Sequence, residues 1–102
     1  MNCKINDKCN TRIVFEIIGS KWNLIIIYNL GDQTLRFTEL QKKMGNINSK
    51  TITKHLRDLE RNKIIKRVVY PEVPPRVEYS LTNHGKTFLP ILEDTIEWGS
   101  TL

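Results

Sequence analysis

The segment NSKTITKHLRDLERNK, Asn48–Lys63, decides how the chain is read. At 100° per residue, Lys50, Lys54, Arg57 and Arg61 fall within about 60° of one another around a helix. Ile52, Leu56 and Leu59 occupy the far side, with His55 at their edge. Asn48 or Ser49 suits the N-cap, where a side-chain oxygen accepts from a free N–H of the first turn. One face of such a helix docks on a core while the other presents four cations spaced to track a polyanion. Taken alone, a basic stripe is more often a solvated face.

The residues upstream supply the context. Thr38–Met44, TELQKKM, reads as a short helix, with Thr38 as its cap and Gln41 three residues on to close a capping box. Gly45-Asn46-Ile47 then makes a tight turn. Helix, glycine-containing turn, then an amphipathic helix with polar and basic residues at its start is the helix-turn-helix pattern. Its second helix enters the major groove of DNA.

Charge placement agrees. Residues 1–49 carry a net +3 and residues 68–102 a net −3, whereas residues 50–67 hold seven Lys/Arg against two Asp/Glu, a net +5. The excess sits on and just after one helix, which favours an anionic partner, nucleic acid before membrane. At 102 residues, with 39% hydrophobic and 26% charged residues, the chain is expected to be a single soluble domain over 1–102. It has no apolar run of spanning length and no signal-peptide hydrophobic region, so a cytoplasmic location is expected. Cys3 and Cys9 read as thiols, and their C-x5-C spacing matches no common zinc site; no metal and no cofactor are expected. His55 and His84 have no evident catalytic partner in sequence, and there is no glycine-rich phosphate loop, so no enzymatic activity is expected.

The remaining elements follow in order. NTRIVFEII from Asn10 pairs Ile13 with Ile17 and Val14 with Ile18, a first helix ended by Gly19. Ser20 then caps KWNLIIIYNL, which Gly31-Asp32 stops. Its Ile25-Ile26-Ile27 triplet favours strand, but Trp22, Ile25, Ile26 and Leu30 keep helical spacing over ten residues, which points to a core helix. Leu35-Arg36-Phe37 is a short extended piece. Ile64–Tyr70 and Val77–Leu81 read as strands joined by the proline-rich Pro71–Arg76, a β-hairpin that forms a wing. Thr82 caps a last helix over about 82–99, kinked at Pro90 and ended by Gly99. Phe88, Leu89, Leu92, Ile96 and Trp98 give it a broad apolar stripe. Together with the first helix it offers more apolar surface than one small core needs, which a second copy would cover.

These residues carry a resemblance. The chain resembles the HxlR-type winged-helix transcriptional regulators over roughly residues 9–99. The shared pieces are Cys9, Ile18-Gly19-Ser20-Lys21-Trp22, Arg36-Phe37-Thr38-Glu39-Leu40, Ile47-Asn48-Ser49-Lys50 and Leu56-Arg57-Asp58-Leu59-Glu60. Most specific are the thirteen residues YPEVPPRVEYSLT, Tyr70–Thr82, followed by Gly85 and Leu89-Pro90-Ile91-Leu92. The resemblance implies a homodimer joined through the N- and C-terminal helices, bound to an inverted-repeat operator in double-stranded DNA. It also implies a cysteine near the N-terminus that senses oxidants in some members, and Cys9 occupies that place. Two departures stand out. Ser20 replaces a second glycine, which should matter little, and Asn62-Lys63 replaces an Asp-Gly or Asn-Gly pair, with Asn62 expected to adopt the left-handed cap conformation.

The expected fold is therefore α+β, mainly α. It is a winged helix-turn-helix (about 34–63) with a two-stranded wing (about 64–81) and additional terminal helices forming a dimer interface. The expected function is sequence-specific DNA binding, with recognition helix 49–62 in the major groove and the wing on flanking DNA. The DNA-contacting candidates are Arg36, Ser49, Lys50, Thr51, Thr53, Lys54, Arg57, Arg61 and Arg76. The competing reading is a winged-helix interaction module whose basic face meets an acidic protein.

Overall fold

The computed structural model describes residues 11–102. Helix α1 (Thr11–Ile18) turns at Gly19 into α2 (Lys21–Leu30), and strand β1 (Leu35–Arg36) follows. Then come α3 (Phe37–Lys43), α4 (Ser49–Arg61), the strands β2 (Ile65–Tyr70) and β3 (Arg76–Leu81), and the helices α5 (Asn83–Lys86) and α6 (Leu89–Gly99). This is a mainly helical α+β winged helix-turn-helix.

The isoleucine triplet of α2 is helical, because burial outweighs β-branched propensity. Ile26, Ile27 and Leu30 lose all solvent contact, as do Leu40 of α3 and Ile52 and Leu59 of α4. Trp22 packs half-buried against this cluster, and the Lys21 ammonium lies 4.8 Å from its ring centroid.

Several local expectations are corrected. The expected two-stranded hairpin of β2 and β3 forms, but it does not stand alone: β1 pairs with β3, giving a three-stranded antiparallel sheet in the order β1-β3-β2. Leu35 stands opposite Tyr79, and Ile65 opposite Leu81. The last helix is not one kinked rod. It breaks at Thr87-Phe88 into α5 and α6, and Pro90 is the second residue of α6, where the missing N–H has no carbonyl to serve. Thr82 caps α5 as expected, its hydroxyl accepting from the Gly85 N–H at 2.9 Å. Helix α3 starts one residue earlier than its predicted cap, Thr38. The Arg36 N–H donates to the Glu39 carboxylate at 2.8 Å, so Glu39 closes the first turn and Gln41 is left for another task. Asn62 keeps φ −87°, and Lys63 takes the left-handed conformation at φ 61°. The N–H groups of Lys63 and Ile64 bond Glu60 and Leu59 carbonyls, a Schellman ending whose left-handed residue follows the C-cap.

Candidate nucleic-acid interface

The turn between α3 and α4 is built by two left-handed residues in succession, Gly45 (φ 79°) and Asn46 (φ 59°). Their N–H groups return to the carbonyls of Lys42 and Gln41 and end α3 sharply. Gln41 spans the turn, Nε2 donating to the Ile47 carbonyl (2.9 Å) and to Ser49 Oγ (3.1 Å). Asn48 is the cap of α4, its Oδ1 accepting from the Lys50 N–H at 2.8 Å. Sequence reasoning foresaw the turn and the cap; the strut made by Gln41 appears only once residues 41 and 49 are adjacent.

Helix α4 divides as its periodicity demands. Ile52, Leu56 and Leu59 are buried, while Ser49, Lys50, Lys54, Arg57 and Arg61 are exposed and Thr51 and Thr53 are partly so. Among the described residues, Lys50, Lys54 and Arg57 form no ion pair; Arg61 meets Asp58 at 3.1 Å, an exposed pair of little energetic weight. Arg36 is exposed beside α3. Arg67 on β2 reaches Glu60 at 3.7 Å and so links wing to helix. Arg76 is engaged differently. It lies 3.4 Å from Glu72 and 3.5 Å from Glu78, and its guanidinium carbon stands 4.2 Å from the Tyr70 ring centroid. The structure therefore gathers Lys50, Lys54, Arg57 and Arg61 on the exposed face of α4 and leaves Arg76 occupied in the wing.

His55 was expected only at the edge of the packing face. It has specific partners on α2 and just before it: Nδ1 lies 3.0 Å from Asn23 Oδ1 and 3.5 Å from Ser20 Oγ. Ser20, expected to matter little and to cap α2, makes no cap bond. The sequence does hold a signal for this cluster, a lone amide in WNLIII, but its partner is 32 positions away. Burial, assisted by Lys54 and opposed by Asp58, holds the His55 imidazole below its ordinary value of 6.5. The groups facing it from α2 are neutral. An unfolded chain thus takes up a proton near pH 6.5 that the folded protein resists. The stability due to this group is complete above 6.5 and is lost as pH falls through the lowered folded value. Melts at pH 7 and pH 5 should show a larger fall in Tm for the wild type than for His55→Gln. Equal falls would contradict the assignment.

A second surface is apolar. Phe15 of α1 (52% exposed), Ile91 of α6 (56%) and Trp98 of α6 (65%) stand in solvent with Val14, Ile18 and Ile96. A groove of about 350 Å³ runs between α1 and the α5–α6 corner, lined by Ile13, Val14, Ile17, Ile18, Phe88 and Ile91, among others. Among the described residues, no cluster of three or more His, Cys, Asp or Glu side chains is placed to hold a metal ion. Nor is any single helix there long and apolar enough to cross a membrane. Cys9, the redox candidate, lies outside the described residues.

Comparison with known proteins agrees with this geometry. Residues 17–102 match the HxlR-like helix-turn-helix family. An uncharacterised HTH-type transcriptional regulator of Halalkalibacterium halodurans is 51% identical over 84 residues, covering 81% of this chain and 74% of that one. The crystal structure of a protein described as a MarR-family transcriptional regulator from Porphyromonas gingivalis W83 superposes with a TM-score of 0.85. It is 35% identical, and the match covers 98% of this chain and 97% of that one. The redox regulator HypR in its oxidised form matches with a TM-score of 0.81 at 39% identity, over 92% of this chain and 97% of its own. The chain belongs to the HxlR-like helix-turn-helix family and is a transcriptional regulator of the winged-helix type.

Proposed function

We propose that the protein binds an inverted-repeat site in double-stranded DNA as a homodimer. Helix α4, the expected recognition helix 49–62, lies in the major groove. The observation that carries this reading is the division of α4: its apolar face is sealed in the core while Lys50, Lys54 and Arg57 stand exposed and, among the described residues, form no ion pair. Ser49, Lys50, Thr51, Thr53 and Lys54, on the first turns, meet base edges and nearby phosphates, and Arg36, Arg57 and Arg61 hold the backbone. The wing lies on flanking DNA. Arg76 serves there chiefly by neutralising Glu72 and Glu78, whose charges oppose the approach of phosphate. Selection of duplexes from a random-sequence library, followed by a mobility shift, tests the reading. A specific shift is expected; capture of acidic proteins without any retained duplex would favour the interaction-module alternative.

The two recognition helices of the dimer enter grooves about 34 Å apart, one duplex turn. The support for a second copy is the apolar area on α1 and α6, larger than isolated surface residues give. Light scattering is expected to return twice the chain mass for the wild type and the single mass for Ile91→Asp. A wild-type monomer at micromolar concentration would overturn the dimer. The proposed site of action is the cytoplasm.

The likeness to the redox regulator HypR supports one further assignment, Cys9 as a thiol sensor. Diamide treatment is expected to give an intermolecular disulfide on non-reducing electrophoresis and to change DNA affinity, and Cys9→Ser to abolish both. An unchanged band pattern with unchanged affinity would remove it.

A further inference from the structure

Between α1 and α4 lies a small polar cavity of about 220 Å³. Glu16 and Ile17 line it from α1, Asp58, Leu59 and Arg61 from α4, and Asn23 from α2. Among the described residues, the side-chain hydrogen bonds joining α4 to the α1–α2 unit all pass through Ser20 and Asn23. Asn23 is 6% exposed, in a helix whose other buried residues are apolar. Its amide is oriented from one side, Nδ2 donating to the Ile17 carbonyl in the last turn of α1 at 3.4 Å. Oδ1 is thereby turned to α4, where it accepts from His55 Nδ1 at 3.0 Å. The neutral ring consequently carries its proton on Nδ1. Ser20 Oγ, at the start of α2, stands 3.5 Å from the same nitrogen. A path of directional contacts thus runs from the α1 backbone through Asn23 to the middle of α4.

The apolar contacts of Ile52, Leu56 and Leu59 decide which face of α4 is buried, but the hydrophobic effect is non-directional and leaves small rotations to other contacts. A hydrogen bond does define direction. Rotation matters here because side chains stand about 6 Å from a helix axis, so a turn of about 10° displaces them by about 1 Å. Lys54, which neighbours His55 in sequence, moves with it.

We propose that Ser20, Asn23 and His55 form a latch that sets the angle of α4 against the α1–α2 unit. Asn23 and His55 are then positioning residues for DNA binding, although neither is assigned a contact with DNA. The inference rests on the DNA-binding reading above. It also ties α1, which carries part of the proposed dimer surface, to the groove-reading helix, so that a shift of α1 is transmitted to Lys50 and Lys54.

The test uses one duplex selected by the wild type from a random-sequence library, with affinity read by fluorescence anisotropy at several salt concentrations. Asn23→Leu, His55→Leu, the double variant and His55→Gln are compared at a temperature where circular dichroism shows each folded. Each leucine variant is expected to bind about tenfold more weakly, the factor one net hydrogen bond supplies. Its salt slope should be unchanged, because no phosphate contact is lost. The double variant should be no weaker than the worse single, and His55→Gln, which keeps a donor, should stay within about threefold of wild type. His55 is partly exposed, so His55→Leu decides the matter even if Asn23→Leu does not fold. Wild-type affinity in folded His55→Leu, or a salt slope reduced along with affinity, would overturn the latch. Failure of the wild type to retain any duplex would instead overturn the DNA-binding reading.

Discussion

Replacing Lys50, Lys54 and Arg57 together by alanine is expected to weaken duplex binding at least about a hundredfold at physiological salt, with little change in Tm. If each protomer makes four to five phosphate contacts, the dimer neutralises roughly eight to ten phosphates. The logarithm of affinity then falls against that of salt with a slope of about −7 to −9. The triple change removes six cations from the dimer and should take about 5 from that slope, while Lys54→Ala alone should take about 2. Folding is expected to be nearly indifferent. The three side chains are exposed and form no ion pair among the described residues, and such surface changes usually stay within about 0.5 kcal/mol. Removing the like-charged Lys50/Lys54 pair at i,i+4 even relieves a small repulsion. Anisotropy titrations on a selected duplex, taken across salt, measure both quantities. An unchanged slope would mean that the stripe touches no phosphate. A collapse of Tm would mean that the wrong face has been turned to DNA.

Gly85→Ala is expected to cost about 3 kcal/mol of stability, lowering Tm by more than about 10 °C. Gly85 is buried in α5, and a Cβ there would fall inside contact distance of the Ile64 carbonyl oxygen and 3.1 Å from its carbon. Neither group can move aside cheaply. The Ile64 carbonyl already accepts from the Thr82 N–H at 3.0 Å, and Thr82 Oγ1 donates to the Lys63 carbonyl at 2.7 Å while accepting from Gly85. This knot joins the end of α4 to the start of α5, so a methyl group inserted there pries the groove-reading helix from the C-terminal helices. Gly99→Ala is the control. Nothing lies within 4 Å of its added Cβ, and alanine is the better helix former, so Tm should hold or rise slightly. A Gly85→Ala protein melting within about 2 °C of wild type would show that the approach of α5 to Ile64 is looser than described.

Local chemistry along the chain was enough to determine much of this protein. The split faces of α4, the turn at Gly45-Asn46, the Asn48 cap and the two strands around Pro71–Arg76 each depend on residues within a few positions of one another. Periodicity and backbone preference act at that range, so they can be read without coordinates. The candidate site was legible to the same extent, because Lys50, Lys54 and Arg57 face outward by helical phase alone. What only the tertiary structure decided concerns partners distant in sequence. The third strand exists because Leu35 meets Tyr79, 44 positions later in the chain. His55 is tied to an amide 32 residues earlier. Such contacts arise only after the chain has closed its long loops, and no pattern confined to one segment encodes them.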